Sequence, residues 1–122
     1  MQTILINSEY EIERGKPIPN KNHSIVQVNI VGLLFNQFRK EFRIVSEVNV
    51  LFDGVKKVPD VAIYRKLDFS PGEDEINVET PPLCAIEILS PKQNLSELLI
   101  KSRLYFANDV QSYWLVIPDL ET

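Results

Sequence analysis

Hydrophobic residues recur along this chain with two different periods. Over residues 22–38, Val26, Ile30, Leu34 and Phe38 fall four apart with Val31 and Phe35 beside them. That spacing predicts a helix with much of its circumference apolar. Asn22 or Ser24 would cap its start, and Arg39-Lys40 suits its end. The β-branched residues Ile25, Val26, Val28, Ile30 and Val31 weaken helical propensity in the same stretch. Upstream, Ile4–Ile6 and Tyr10–Ile12 are short strand-like or turn segments, closed by Arg14-Gly15 and the Pro17/Pro19 pair.

The period then changes to two. Ile44–Leu51 and Lys56–Tyr64 flank Asp53-Gly54, a dipeptide favoured where both central turn residues need positive φ, so a hairpin is expected. In its second half Val58, Asp60, Ala62 and Tyr64 share one face, and Val61 and Ile63 the other. Pro59 cannot donate to a ladder and suggests an edge or a bulge. Residues 67–80, acidic and rich in turn formers around Pro71-Gly72, predict an exposed loop. The run Pro82–Ser90 is apolar and bounded by prolines, as expected of a strand covered on both faces. Leu83, Ala85, Glu87 and Leu89 lie on one of its faces, and Cys84, Ile86, Ile88 and Ser90 on the other.

A helix over residues 95–107, capped by Asn94 or Ser96, and a buried strand over 112–117 complete the pattern. On a wheel at about 100° per residue, Leu95, Leu98, Leu99, Ser102 and Phe106 form the expected core face. Ser96 and Arg103 form the solvent face, and Glu97, Lys101 and Tyr105 a line bordered by Leu98 and Leu104. Lys101 is thus either half of a solvated Glu97–Lys101 pair or a partly buried ammonium that needs a carboxylate or phosphate. The strand–helix–strand succession is a crossover unit that sets two strands parallel. The order α-β-β-β-α-β predicts an α/β fold, a mixed sheet with flanking helices, in one domain spanning 1–122.

Composition adds mainly exclusions. At 122 residues with 44% hydrophobic content, the chain supports a core without disulfide or metal staples. The single Cys84 lies in the apolar strand and reads as a core residue, with a reducing cytoplasm the expected location. No apolar run approaches the roughly 20 residues of a membrane span, and Met1–Asn7 has no signal-peptide pattern. The net charge of −4, from 13 basic and 17 acidic residues, gives no general basic field for nucleic acid. Too few Cys and His are present for a zinc site, and the four glycines are too scattered for a phosphate loop. The lone His23, near a helix start, reads as a cap or core contact.

Two carboxylates interrupt apolar strand patterns, Asp60 and Glu87. A charge in such a place is costly unless a cation or hydrogen-bond donors meet it. Side by side the two would repel, and a divalent cation between them would relieve this. Magnesium suits such a site, because it takes oxygen ligands and commonly keeps waters and substrate phosphate oxygens beside one or two carboxylates. Lys101 would stand beside the metal, and Glu11 would complete an outer ligand or orient a water. The alternative is a structural ion-pair network of Asp60, Glu87 and Lys101.

In order along the chain, Tyr10-Glu11-Ile12-Glu13-Arg14-Gly15, Asn22-His23-Ser24-Ile25, Val58-Pro59-Asp60-Val61, Ile86–Pro91, Lys101 with Tyr105, and Tyr113–Val116 resemble the Uma-two family. These are restriction-endonuclease-like proteins of the PD-(D/E)xK nuclease fold. The resemblance covers about residues 10–118. It implies a restriction-endonuclease-like mixed sheet and a metal-dependent DNA endonuclease using Mg²⁺ or Mn²⁺. By it, Asp60 and Glu87 are metal ligands, with the Ile88 carbonyl as a third, and the catalytic set is Asp60, Glu87, Lys101 and Glu11. The lysine of the general fold would fall at Leu89, and the following helix supplies it instead as Lys101. Glu97 stands where the family usually has aspartate, and Ser90 and Tyr105 match supporting positions. Relatives continue through further strands beyond the position of Pro118, so either an open sheet edge favouring a homodimer or an incomplete active site or DNA groove is expected. The competing expectation is a catalytically inactive binding or oligomerisation module on the same fold.

Overall fold

The computed structural model describes residues 20–72, 75–91 and 93–118. The first helix among the described residues, α1, spans Lys21–Phe38 and starts earlier than expected. Asn20, in extended conformation, is the N-cap, and its Oδ1 accepts the His23 N–H at 2.8 Å. That is the usual reach of a cap to the third helical residue. Asn22 and Ser24 therefore lie inside the first turn, and His23 joins Gln27 and Leu34 on the buried side.

Among the described residues seven strands follow: β1 (Arg43–Ser46), β2 (Asn49–Phe52), β3 (Val55–Lys57), β4 (Val61–Tyr64), β5 (Asn77–Val78), β6 (Cys84–Ile88) and β7 (Ser112–Val116). Between the last two lies the second helix, α2 (Leu95–Ala107). The expected hairpin forms as β2–β3, with Asp53 and Gly54 both at positive φ, 48° and 86°. The two long strands around it are each broken, however. Glu47, at φ 50°, separates β1 from β2, and Val58–Asp60 separate β3 from β4. The breaks divide the strands between two sheets, one in the order β1-β4-β6-β7 and a smaller one in the order β3-β2-β5. β4 is antiparallel to β1 and β6, whereas β6 and β7 are parallel, joined by α2 as a crossover. The architecture is thus a mixed α/β one. The described residues of 67–72 and 75–80 are mostly exposed and irregular, apart from β5, whose two residues pair parallel with β2.

Each side of β6 is packed differently. Cys84 and Ile86 meet Leu34 of α1 and Val61 of β4, with Ile30, Val31, Ile44, Ile63 and Val116 around them. On the opposite face Ala85 packs with Tyr105 of α2 and with Val50, Phe52 and Val110. The side of α2 that meets the sheet is not the one expected. Leu98 and Tyr105 are buried and Lys101 is largely so, whereas Leu95, Leu99 and Phe106 are exposed. The core sector is rotated toward the line of Lys101 and Tyr105 because a carboxylate on the sheet receives their polar ends. Ser96 and Arg103 are exposed as expected.

Candidate active site

Strand alternation puts Glu87 on the same face of β6 as Ala85, the face covered by α2. The carboxylate is 1% exposed. Burial of this kind requires donors, and α2 supplies two. Lys101 Nζ lies 3.6 Å from Glu87 Oε1, and the Tyr105 hydroxyl donates to the same oxygen at 3.3 Å. Lys101 and Tyr105 are four residues apart and so share one face of the helix.

Asp60 arrives from the other side of the strand. In the β4–β6 pairing Val61 faces Ile86. One further step in that register sets Asp60 opposite Glu87. β4 ends here, after Pro59, which has no N–H to continue a ladder. The Ile88 N–H beyond the last pair is taken by the Asp60 side chain, donating to Oδ2 at 2.7 Å. His23 Nε2 lies 3.1 Å from the same Oδ2. The Asp60 carbonyl accepts from Gln27 Nε2 at 3.0 Å and from the Glu47 N–H at 3.1 Å. Asp60 is 1% exposed and thoroughly fixed.

The charges of both acids reach the surrounding phenols. Burial first, then Glu87, then Tyr113, with Asp60 a lesser contributor, pushes the Tyr105 hydroxyl far above the ordinary tyrosine range. Tyr113, whose ring lies 5.5 Å from that of Tyr105, is raised by burial, then Glu87, then Asp60. Both phenols therefore stay protonated at neutral pH, and Tyr105 can act as a donor. A second ammonium belongs to the same field. Lys57, at the end of β3, is pushed below its ordinary value, chiefly by burial and then by Lys101, with Glu87 acting in the opposite sense.

Asp60, Glu87, Lys101 and the Ile88 backbone are thus brought to one end of β6, while Glu11 lies outside the described residues. Glu97 is exposed, and the ammonium of Lys101 goes to Glu87. Both acids are closed off from solvent, and Lys101 is 14% exposed. A cavity of about 290 Å³ opens beside His23 and Leu89, between the start of α1 and the ends of β6 and β7. Two carboxylates and a strand-end carbonyl are hard oxygen donors, the class magnesium takes. Among the described residues no three His, Cys, Asp or Glu side chains form a cluster fit for a metal. An ion held by Asp60 and Glu87 would need further ligands from backbone, water or substrate oxygens, the kind of shell that magnesium keeps.

The family model described as "Uma2: Putative restriction endonuclease" matches residues 7–122. The chain belongs to the Uma2 (Uma-two) family. Among solved structures it is similar to a crystal structure described as a "putative nuclease belonging to DUF820" from Anabaena variabilis ATCC 29413. The two share 26% identity with a TM-score of 0.74, over 84% of this chain and 60% of the other. The chain thus spans less than two thirds of that structure's length. No curated protein matches it. Fold and family are therefore those of a nuclease-like Uma2 protein. No helix among the described residues is long and apolar enough to cross a membrane.

Beside this Uma2 site, Gln27 and Lys57 escaped the sequence, and His23, expected as a cap or core contact, is a core contact that also meets Asp60. A signal for the two residues on α1 does exist. His23 and Gln27 fall on the buried stripe of α1 with Leu34, while Ile25, Val28 and Leu33 on other faces stay exposed. Polar residues that displace apolar ones from a helix's buried stripe mark a polar partner on the sheet. Placing the helix start at Asn22 or Ser24 concealed this by making His23 an end residue. Lys57 carried no comparable signal, being an ordinary basic residue near a hairpin turn.

Proposed function

We propose that this chain is a magnesium-dependent DNA endonuclease, hydrolysing phosphodiester bonds with Mg²⁺ or Mn²⁺. The observation that carries the proposal is the register of Asp60 opposite Glu87 at the end of β6, with Lys101 Nζ 3.6 Å from Glu87, in a chain of the Uma2 family. Asp60, Glu87 and the Ile88 carbonyl would hold the ion. A bound divalent ion supplies Lewis-acid polarisation of the phosphodiester and a lowered pKa for a coordinated water. Lys101, reaching from α2, would orient the attacking water and offset charge on the pentacovalent phosphorus. Tyr105 holds Glu87 Oε1 in place, and Ile88 N–H with His23 holds Asp60 Oδ2. Glu11 is assigned the outer acidic position by family resemblance alone. A homodimer would give the two centres that cutting both strands of a duplex requires, and the exposed Leu95, Leu99 and Phe106 of α2 are apolar surface that such an assembly would cover. The cytoplasm is the proposed location.

A second reading has its own support. Asp60 and Glu87 are each only 1% exposed, as in a closed ion-pair network on an inherited nuclease fold. One experiment separates them: supercoiled plasmid with Mg²⁺ or Mn²⁺, incubated with wild type, Asp60→Ala and Lys101→Ala. Nicking by wild type, lost in both variants, supports the endonuclease. No nicking by wild type, or equal nicking by all three, leaves the ion-pair network.

A further inference from the structure

Two residues one turn apart on α1, His23 and Gln27, both end on Asp60, and they hold different parts of it. Gln27 donates to the backbone carbonyl, which anchors the end of β4 to the helix. His23 reaches the carboxylate itself, with Nε2 3.1 Å from Oδ2. The Ile88 N–H donates to that same oxygen at 2.7 Å. Two donors from different elements on one oxygen fix the plane of the carboxylate, and hence the direction in which Oδ1 presents its lone pairs.

The ordinary account of His23 is a satisfied core histidine. Its surroundings fit that account poorly. The side chain is 4% exposed, and its Nδ1 has no hydrogen-bond partner among the described residues. The ring's polar interaction is therefore with Asp60. Contact between Nε2 and a carboxylate puts a proton on Nε2, the tautomer in which imidazole donates to the acid. A helix needing only to be anchored on the sheet has Gln27 and the apolar contacts of Leu34 for the purpose. Hydrogen-bond partners that orient a ligating carboxylate commonly change metal affinity by about 10–100-fold when removed.

We infer that His23 is a positioning residue for the divalent-ion site: it aims the Asp60 carboxylate at the ion and takes no ligand position itself. The inference rests on the proposed metal site and deepens it. Its test is the Mn²⁺ affinity of intact protein, followed by the signal of free Mn²⁺ in electron paramagnetic resonance, alongside thermal unfolding. His23→Leu keeps bulk and removes the donor; His23→Gln keeps an N–H near the Nε2 position. The expected result is Mn²⁺ binding about 10–100-fold weaker in His23→Leu and within about threefold of wild type in His23→Gln. Should His23→Leu not fold, His23→Asn, whose amide is too short to reach Oδ2, replaces it with the same expectation. Wild-type binding that is equalled by His23→Leu or His23→Asn overturns the role of His23 and leaves the metal site standing. No binding by wild type overturns the metal site, and the inference with it.

Discussion

Lys101 on α2 places its ammonium 3.6 Å from Glu87 on β6, so the cation that meets the strand's buried carboxylate comes from the helix that covers it. Position 89, on the same strand face as Glu87, is leucine. The pair also fixes which side of α2 faces inward, since Lys101 and Tyr105 both end on Glu87 Oε1.

Removing Lys101 takes the ammonium away from the buried Glu87. Lys101→Met is expected to destabilise the protein by about 3 kcal/mol. The double variant Glu87→Gln/Lys101→Met is expected to recover most of that loss. Urea unfolding of the wild type, both single variants and the double variant measures the coupling. A loss in the double variant equal to the sum of the two single losses would show that the two charges do not interact.

Tyr105→Phe deletes one donor to Glu87 while keeping the ring that packs edge-on to Phe52 at 5.4 Å. A cost of about 1 kcal/mol is expected. Tyr105→Leu, which also removes the aromatic packing, is expected to cost more. Both are read by the same urea titration.

The rotated face of α2 gives a direct contrast. Leu98 is 0% exposed and Leu99 51%. Leu98→Ala is expected to cost about 2–5 kcal/mol, and Leu99→Ala to stay within about 0.5 kcal/mol. Comparable losses from both would restore the core face that the sequence pattern predicts.

This contrast also shows what the sequence reveals and what it hides. The Asp53-Gly54 turn and the strand Cys84–Ile88 are legible because turn geometry and a bounded apolar run are local signals. Asp60 and Glu87 are legible as charges inside such runs. The inward face of α2 is legible only in part: the wheel leaves Lys101 open between a solvated pair and a buried ammonium, and its partner Glu87 on the strand decides for the second. The same holds for His23, whose burial follows from Asp60, a residue far along the chain. The break at Val58–Asp60 has a local signal in Pro59, whereas the break at Glu47 depends on the division into two sheets, which no local pattern encodes.

Alkaline pH should destabilise the fold. Burial raises the Cys84 thiol from 9.0 to about 11 and the Tyr64 phenol from 10.0 to about 12. Each group releases its proton more readily when unfolded, so its contribution is complete below its ordinary value and is lost as pH rises toward the folded one. Lys57 has the opposite sign: its lowered value penalises the fold, and the penalty is relieved as pH rises toward 10.5. With Tyr105 and Tyr113 raised as well, the unfolding temperature should hold up to about pH 9 and then fall. Cys84→Ala should flatten the first part of that fall. A wild-type profile that is flat to pH 11 would contradict the buried placement of these groups.

The central claim is that Asp60 and Glu87 jointly hold one divalent ion at the end of β6. Its most direct test is an anomalous difference map from a crystal of this protein soaked in Mn²⁺. The expected result is a peak at bonding distance from oxygens of both carboxylates, with the Lys101 ammonium displaced from Glu87 Oε1 but still alongside. Full Mn²⁺ occupancy elsewhere, or the Lys101–Glu87 contact persisting at 3.6 Å with no peak between the acids, would contradict it.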